Sequence, residues 1–259
     1  MVNINSIRHE KEKNYLLAMQ IIGALLWLLI LASTFGIIIL IGLFVLLWLV
    51  IIESYFKAVI YGNSVKVNES QYPEIYKIIK EQSEELNLHD TPDVFIYNGN
   101  GIINAFAVKF LSKKYVLLMS SLVDLMLKRN RIDELSFIIG HELGHHAAAH
   151  TNPWRRALIK PANLIPFLGT AYLRSCELTA DRIGCVLTKN VSATKNALVA
   201  ISLGSESLGN ESNIDEFLLQ EHQIPALMGF IYKIFATHPM MTHRVREITY
   251  FDKIYDYLK

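Results

Sequence analysis

One stretch of this chain has residue types and spacing that point directly at chemistry: His141-Glu142-Leu143-Gly144-His145. Two histidines four apart on a helix project from the same face, one turn above the other, so their imidazoles can share one metal ion. A glutamate directly after the first histidine lies beside that metal, where it can take a proton from water. In this reading His141 and His145 are ligands and Glu142 is the general base.

A catalytic zinc needs a third protein ligand and one position left open. The best candidate lies in Ser175-Cys176-Glu177-Leu178-Thr179-Ala180-Asp181-Arg182. Glu177 and Asp181 are four apart, so on a helix both face one way. Glu177 is placed to ligate, and Asp181 to accept a hydrogen bond from the far nitrogen of a ligand histidine, fixing its tautomer. The bland alternative is a solvated acidic face. The apolar Leu178, Ile183, Val186 and Leu187 on the same helix argue against it. His146 and His150 read as structural or exposed, and His150 lacks the glycine spacing of the metzincin pattern. Cys176 and Cys185 read as two packed thiols of a reducing compartment, not as a disulfide framework.

These residues need elements to hold them. Of 259 residues, 52% are hydrophobic and 19% charged, and the excess is concentrated. From Asn14 to Ile52 there is no charged residue. As one helix that run is nearly twice the ~30 Å hydrocarbon core, and the competing reading is one tilted span with a buried remainder. The run divides at Ser33-Thr34-Phe35-Gly36 into two transmembrane helices near 16–32 and 37–52. Arg8, Lys11 and Lys13 before the run and Lys57 and Lys66 after it place both ends of such a hairpin in the cytoplasm. Residues 1–60 are thus expected to be a tail and membrane anchor, and 61–259 the catalytic domain. Net charge is +1, which offers no basic field for nucleic acid. Within the second part, apolar spacing predicts a helix over 70–88, with Pro73 in its first turn. Short runs at 94–97, 105–110 and 115–119 read as strands of a small antiparallel sheet, 111–113 closing a hairpin. Helix starts are expected at Ser121 and Asn130, the second opening the helix of the pentapeptide, which ends at 151–153. Residues 154–173, broken by Arg155, Arg156, Lys160, Pro161 and Pro166, read as a loop or a segment lying against a bilayer.

A His-Glu-x-x-His helix followed by Glu-x-x-Ala-Asp-x-x-Gly resembles the membrane zinc metallopeptidases related to HtpX and the CAAX prenyl endopeptidases. Asn104-Ala105-Phe106 resembles that family's substrate-pairing edge strand, residues 115–125 its following strand and helix, and Thr237-His238-Pro239 with Arg244 its C-terminal element. The interval between the two zinc motifs is too short for the extra membrane helices of those relatives. The resemblance implies an α+β fold, a mainly helical zincin-like metalloprotease domain with a small antiparallel sheet behind a transmembrane helical hairpin. It also implies one Zn2+ per chain on His141, His145 and Glu177, with Asp181 behind them. His238 and Arg244 are expected to help stabilise the oxyanion, and Asn104, Ala105 and Phe106 to hold substrate. The expected activity is a membrane-anchored endopeptidase using a metal-activated water, with a role in membrane-protein quality control. Its expected partners are a misfolded or membrane-associated polypeptide and the lipid bilayer of an inner or plasma membrane. The competing reading is a membrane-anchored binding or chaperone-like protein with a structural metal.

Overall fold

The computed structural model describes residues 2–34, 36–127, 131–204, 208 and 212–255. After a short helix α1 (Ile4–Ile7) come α2 (Glu10–Ser33) and α3 (Ile37–Asn63), of 24 and 27 residues. At 1.5 Å per residue they are about 36 and 40 Å long. Both are long and apolar enough to cross a membrane. Each outruns its expected span for a reason. The Glu10–Lys13 segment consists of good helix formers, and the last turns of α3 are used in packing, since Phe56 and Ile60 cover one face of the sheet.

That sheet has four strands, β1 (Ser64–Lys66), β2 (Asp93–Tyr97), β3 (Ala105–Lys109) and β4 (Lys114–Met119), in the order β1-β2-β4-β3. β1–β2 and β3–β4 are antiparallel, the latter closed by the expected hairpin, but β2–β4 is parallel, with Asp93 opposite Tyr115. The sheet is therefore mixed, not purely antiparallel. The cause is topological: after β2 the chain passes to the far edge, lays down β3, and turns back so that β4 fills the gap. The pleat sorts the side chains. Val94, Val116 and Leu118 join the main core, while Phe95, Tyr115 and Leu117 meet Phe56 and Ile60 of α3.

The main core lies between this sheet and the helices α4 (Pro73–Glu85), α5 (Ser120–Leu127) and α6 (Ile132–Ala147), through Ile75, Ile79, Leu122, Met126, Leu135 and Ile139. Pro73 occupies the first turn of α4 as expected. Asn130, the expected start of the pentapeptide helix, lies outside the described residues, and Arg131 is the N-cap. Ile7, from the segment before α2, is buried in the same core.

The 154–173 segment is not a loop. Asn152 accepts hydrogen bonds from the Trp154 and Arg155 amides and starts α7 (Pro153–Ile159), which runs through a 3-10 turn (Lys160–Leu164) toward α8 (Leu168–Thr188). Pro153 and Pro161 fall at helix starts, where a missing N–H costs little, and Pro166 lies in the turn before α8. This segment packs on α2, with Met19 against Ile159, Ala162, Tyr172 and Cys176. A Cβ on Gly23 would lie 2.4 Å from the Leu158 carbonyl oxygen, so only glycine permits this approach. The Trp27 indole donates to the Ala157 carbonyl at 3.1 Å. Both cysteines lie on α8, buried and unbonded. Then follow α9 (Val191–Leu203), α10 (Ile214–Leu219), α11 (Ala226–Phe235) and α12 (Met241–Tyr255).

Candidate metal centre and active-site cleft

The centre forms where α6 and α8 touch. They meet glycine against glycine: a Cβ on Gly140 would sit 3.1 Å from the Gly184 Cα, and one on Gly184 2.9 Å from the Phe137 carbonyl oxygen. Gly140 immediately precedes His141, and Gly184 is one turn past Asp181. Small residues thus draw together the two helices that carry the candidate ligands.

The result is a tight constellation. His141 Nε2 and His145 Nε2 are 3.2 Å apart, and the Glu177 carboxylate oxygens lie 3.6 Å from the first and 3.4 Å from the second. One ligand atom from each of these residues falls within a 4.8 Å group that could hold a metal ion. The far nitrogens argue the same way. His141 Nδ1–H donates to Asp181 Oδ1 at 3.0 Å, and His145 Nδ1 lies 2.9 Å from His150 Nδ1. With both Nδ1 atoms engaged, both Nε2 lone pairs are free to ligate, and two neutral imidazoles with one carboxylate suit zinc.

Asp181 is itself held. Arg244 donates from Nε to Oδ2 at 2.8 Å and from Nη2 to Oδ1 at 2.6 Å. Burial works against the Asp181 charge, yet the Arg244 fork keeps its carboxyl far below the usual carboxylate range. Burial likewise opposes protonation of His141, but the Asp181 hydrogen bond and charge carry its pKa above the ordinary value. Burial and the neighbouring His141 hold His145 well below it. Burial pushes the Glu142 carboxyl up to about 7, and the Glu177 carboxylate adds to the rise despite the opposing His141. A base poised there is matched to neutral pH.

A cleft of about 360 Å³ opens over these groups, its far wall formed by Asn104–Ala107. β3 is the outer strand of the sheet. Two of its amides turn outward: Ala105 donates to its neighbour's Asn104 Oδ1 at 2.9 Å, and Ala107 donates to the Glu142 carboxylate. The general-base candidate thus lies directly beneath the free edge. Phe106 is exposed beside it.

The two C-terminal residues divide. His238 is exposed, with Nε2 3.8 Å from Glu177 Oε1 and Nδ1 3.0 Å from the Thr237 hydroxyl, and faces the ligands across the cleft. Arg244 also lines the cleft, and its Nε and Nη2 grip Asp181 behind His141. Sequence reasoning set His150 aside and passed over Glu12. Yet His150 touches His145 directly and Glu12 touches His150, with Nε2 to Oε1 at 3.1 Å. His146 is structural as expected, bonded to Thr151 Oγ1 and the Tyr115 carbonyl.

Residues 69–154 and 153–252 match the family described as "Peptidase family M48". The chain is 26% identical over 219 residues to plastoglobule-localized metallopeptidase 48, chloroplastic, of Arabidopsis thaliana, an alignment covering 76% of this chain and 62% of that protein. It therefore spans less than two thirds of that relative's length. In fold it is similar to S. mikatae Ste24p, with a TM-score of 0.51 at 14% identity over 83% of this chain and 58% of the other.

Proposed function

Since this chain belongs to peptidase family M48, a family of metallopeptidases, we propose that it is a membrane-anchored, zinc-dependent endopeptidase. The observation that carries this reading is the convergence of His141, His145 and Glu177 with Glu142 beside them under a free strand edge. Zinc held by those three residues supplies Lewis acidity, lowering the pKa of water toward ~7. Glu142 takes the proton from the attacking water and returns it to the leaving amine. His238 faces the place where oxyanion charge develops and donates to it. Asp181 orients His141, and Arg244 keeps Asp181 ionised and in place. Substrate lies extended along β3, paired through backbone groups, with Asn104 turning aside and Phe106 beside the chain. Such pairing gives affinity with loose sequence demands.

The anchor is the hairpin of α2 and α3, so that the chain divides by role into residues 1–60 and 61–259. Trp154, Leu164 and Phe167, with Leu227, Phe230 and Phe235 of α11, are also exposed. An apolar surface of that extent fits a protein lying on a bilayer. With positive residues at both flanks, the catalytic part faces the cytoplasm of an inner or plasma membrane. Its substrates are polypeptides at that surface, with quality control of membrane proteins as the fitting role.

Cleavage of an unfolded polypeptide by the purified full chain tests the reading. Hydrolysis is expected to stop with chelator and return with zinc, and to fall about 10²–10⁴-fold in Glu142→Gln while zinc is retained. Unchanged hydrolysis in Glu142→Gln sinks the mechanism. Full zinc occupancy without cleavage of any unfolded substrate favours a binding or chaperone-like protein with a structural metal.

A further inference from the structure

Glu12 lies at the start of the first long apolar helix and is fully buried. Withdrawing a carboxylate from water is costly unless it is completely partnered. Here three partners close on it from three parts of the chain. Arg8, one turn earlier, makes an ion pair with Oε1, and Thr179 donates its hydroxyl to Oε2. His150 Nε2 lies 3.1 Å from Oε1. Thr179 stands between Glu177 and Asp181 on α8 and also accepts the His9 backbone amide at 3.0 Å.

The proton directions follow from the metal reading. If His145 gives its Nε2 lone pair to the metal, its proton is on Nδ1 and is donated to His150 Nδ1 at 2.9 Å. His150 must then carry its own proton on Nε2, which points at Glu12. The chain of donation runs one way and ends on a carboxylate. We propose that Glu12 is a positioning residue of the metal centre, orienting His145 through His150, so that the membrane-proximal end of α2 forms part of the active site. The inference rests on the metal reading given above.

Glu12, His150 and Cys176 also lie close enough together to suggest a second cation site. Two features weigh against one. Arg8 already places a positive charge on Glu12, and burial raises the Cys176 thiol pKa, keeping it protonated and a poor ligand. The cluster is a hydrogen-bond relay.

The test measures zinc stoichiometry and the rate of zinc release to a chromophoric chelator for the full chain in detergent, with Glu12→Ala, Glu12→Gln, His150→Ala and the Glu12→Ala/His150→Ala double variant. Partners behind metal-bound histidines typically contribute 10–100-fold in metal affinity. Release is expected to quicken by about that factor in Glu12→Ala and His150→Ala. Glu12→Gln, which keeps an acceptor but no charge, should fall between wild type and Glu12→Ala. The double variant should be no worse than His150→Ala alone, because the two act in series. Zinc release at the wild-type rate in folded Glu12→Gln and His150→Ala overturns the proposal, and so do additive effects in the double variant. If Glu12→Ala does not fold, the Gln variant decides alone. Two zinc ions per chain, one lost in Glu12→Gln, overturn it in favour of a second metal site. Failure of the wild-type chain to bind zinc is a failure of the metal reading instead.

Discussion

The two histidines of the centre are supported in different ways. Behind His141 stands Asp181, one hydrogen bond away, clamped by the two-pronged Arg244. Every member of that arm belongs to α6, α8 or α12, inside the catalytic domain. Behind His145 stands a longer arm, His150 and then Glu12, closed by Arg8 and Thr179. That arm begins in the domain and ends on the helix proposed as membrane anchor. The first arm has one connection to hold; the second has two and depends on α2 staying docked. The contrast separates a part of the site built by the core from a part that exists only while anchor and domain are together.

The largest expected difference is in stability. Arg244→Met leaves the buried Asp181 charge without its main partner and should cost about 3–5 kcal/mol. Arg8→Met leaves Glu12 with two donors and should cost about 1.5–3 kcal/mol, the worth of hydrogen bonds to charged groups. Denaturant unfolding of the full chain in detergent measures both. Equal losses would mean that the arms are equivalent.

A smaller effect separates the two glycine contacts. Gly184→Ala drives a Cβ into the Phe137 carbonyl and should cost about 1–3 kcal/mol of overpacking. It should also speed zinc release, because the helices carrying the ligands are pushed apart. Gly23→Ala meets the Leu158 carbonyl and loosens α2, on which only the Glu12 arm depends, so it should lower stability and speed zinc release less than Gly184→Ala does. Zinc release as fast in Gly23→Ala as in Gly184→Ala would erase the distinction.

The most gradual effect is acid sensitivity. Burial, with Arg182 close by, lowers His9 to about 4, and burial lowers His146 to about 4. Both fold neutral, so below about 6.5 the unfolded chain takes up protons that the folded chain refuses. Stability is therefore complete above that pH and is lost as pH falls toward 4, by about 1.4 kcal/mol per pH unit for each histidine. His9→Gln should flatten the fall between pH 6 and 4 by one proton. An unchanged slope, read from melting temperature against pH, would remove His9 from the account.

The arm that the core builds was largely legible in the sequence. His141, His145, Glu177 and Asp181 sit at helical spacings on two apolar helices, so local periodicity alone put each pair on one face. That α6 and α8 pack on each other is a long-range fact, marked in the sequence only by Gly140 and Gly184. The other arm was illegible. Glu12 and His150 are 138 positions apart, and a carboxylate just before an apolar run reads as part of a solvated flank. Arg244 carried a local signal of position but not of direction, since only the fold turns it onto Asp181. The parallel β2–β4 pairing was missed for a related reason: period-two patterning reports which residues face inward, not the order in which strands are laid side by side. In 154–173, charge and proline masked two helices that form because α2 offers them a surface.

The link from Glu12 to His145 also works as a ruler. Two hydrogen bonds and two imidazole rings separate the first turn of α2 from the ligand, a path about as long as three extended residues. If α2 lies in a bilayer, as proposed, that length limits how far the metal centre can stand from the first turn of α2. On that proposal, a polypeptide would have to approach within this reach of the membrane surface to meet Glu142.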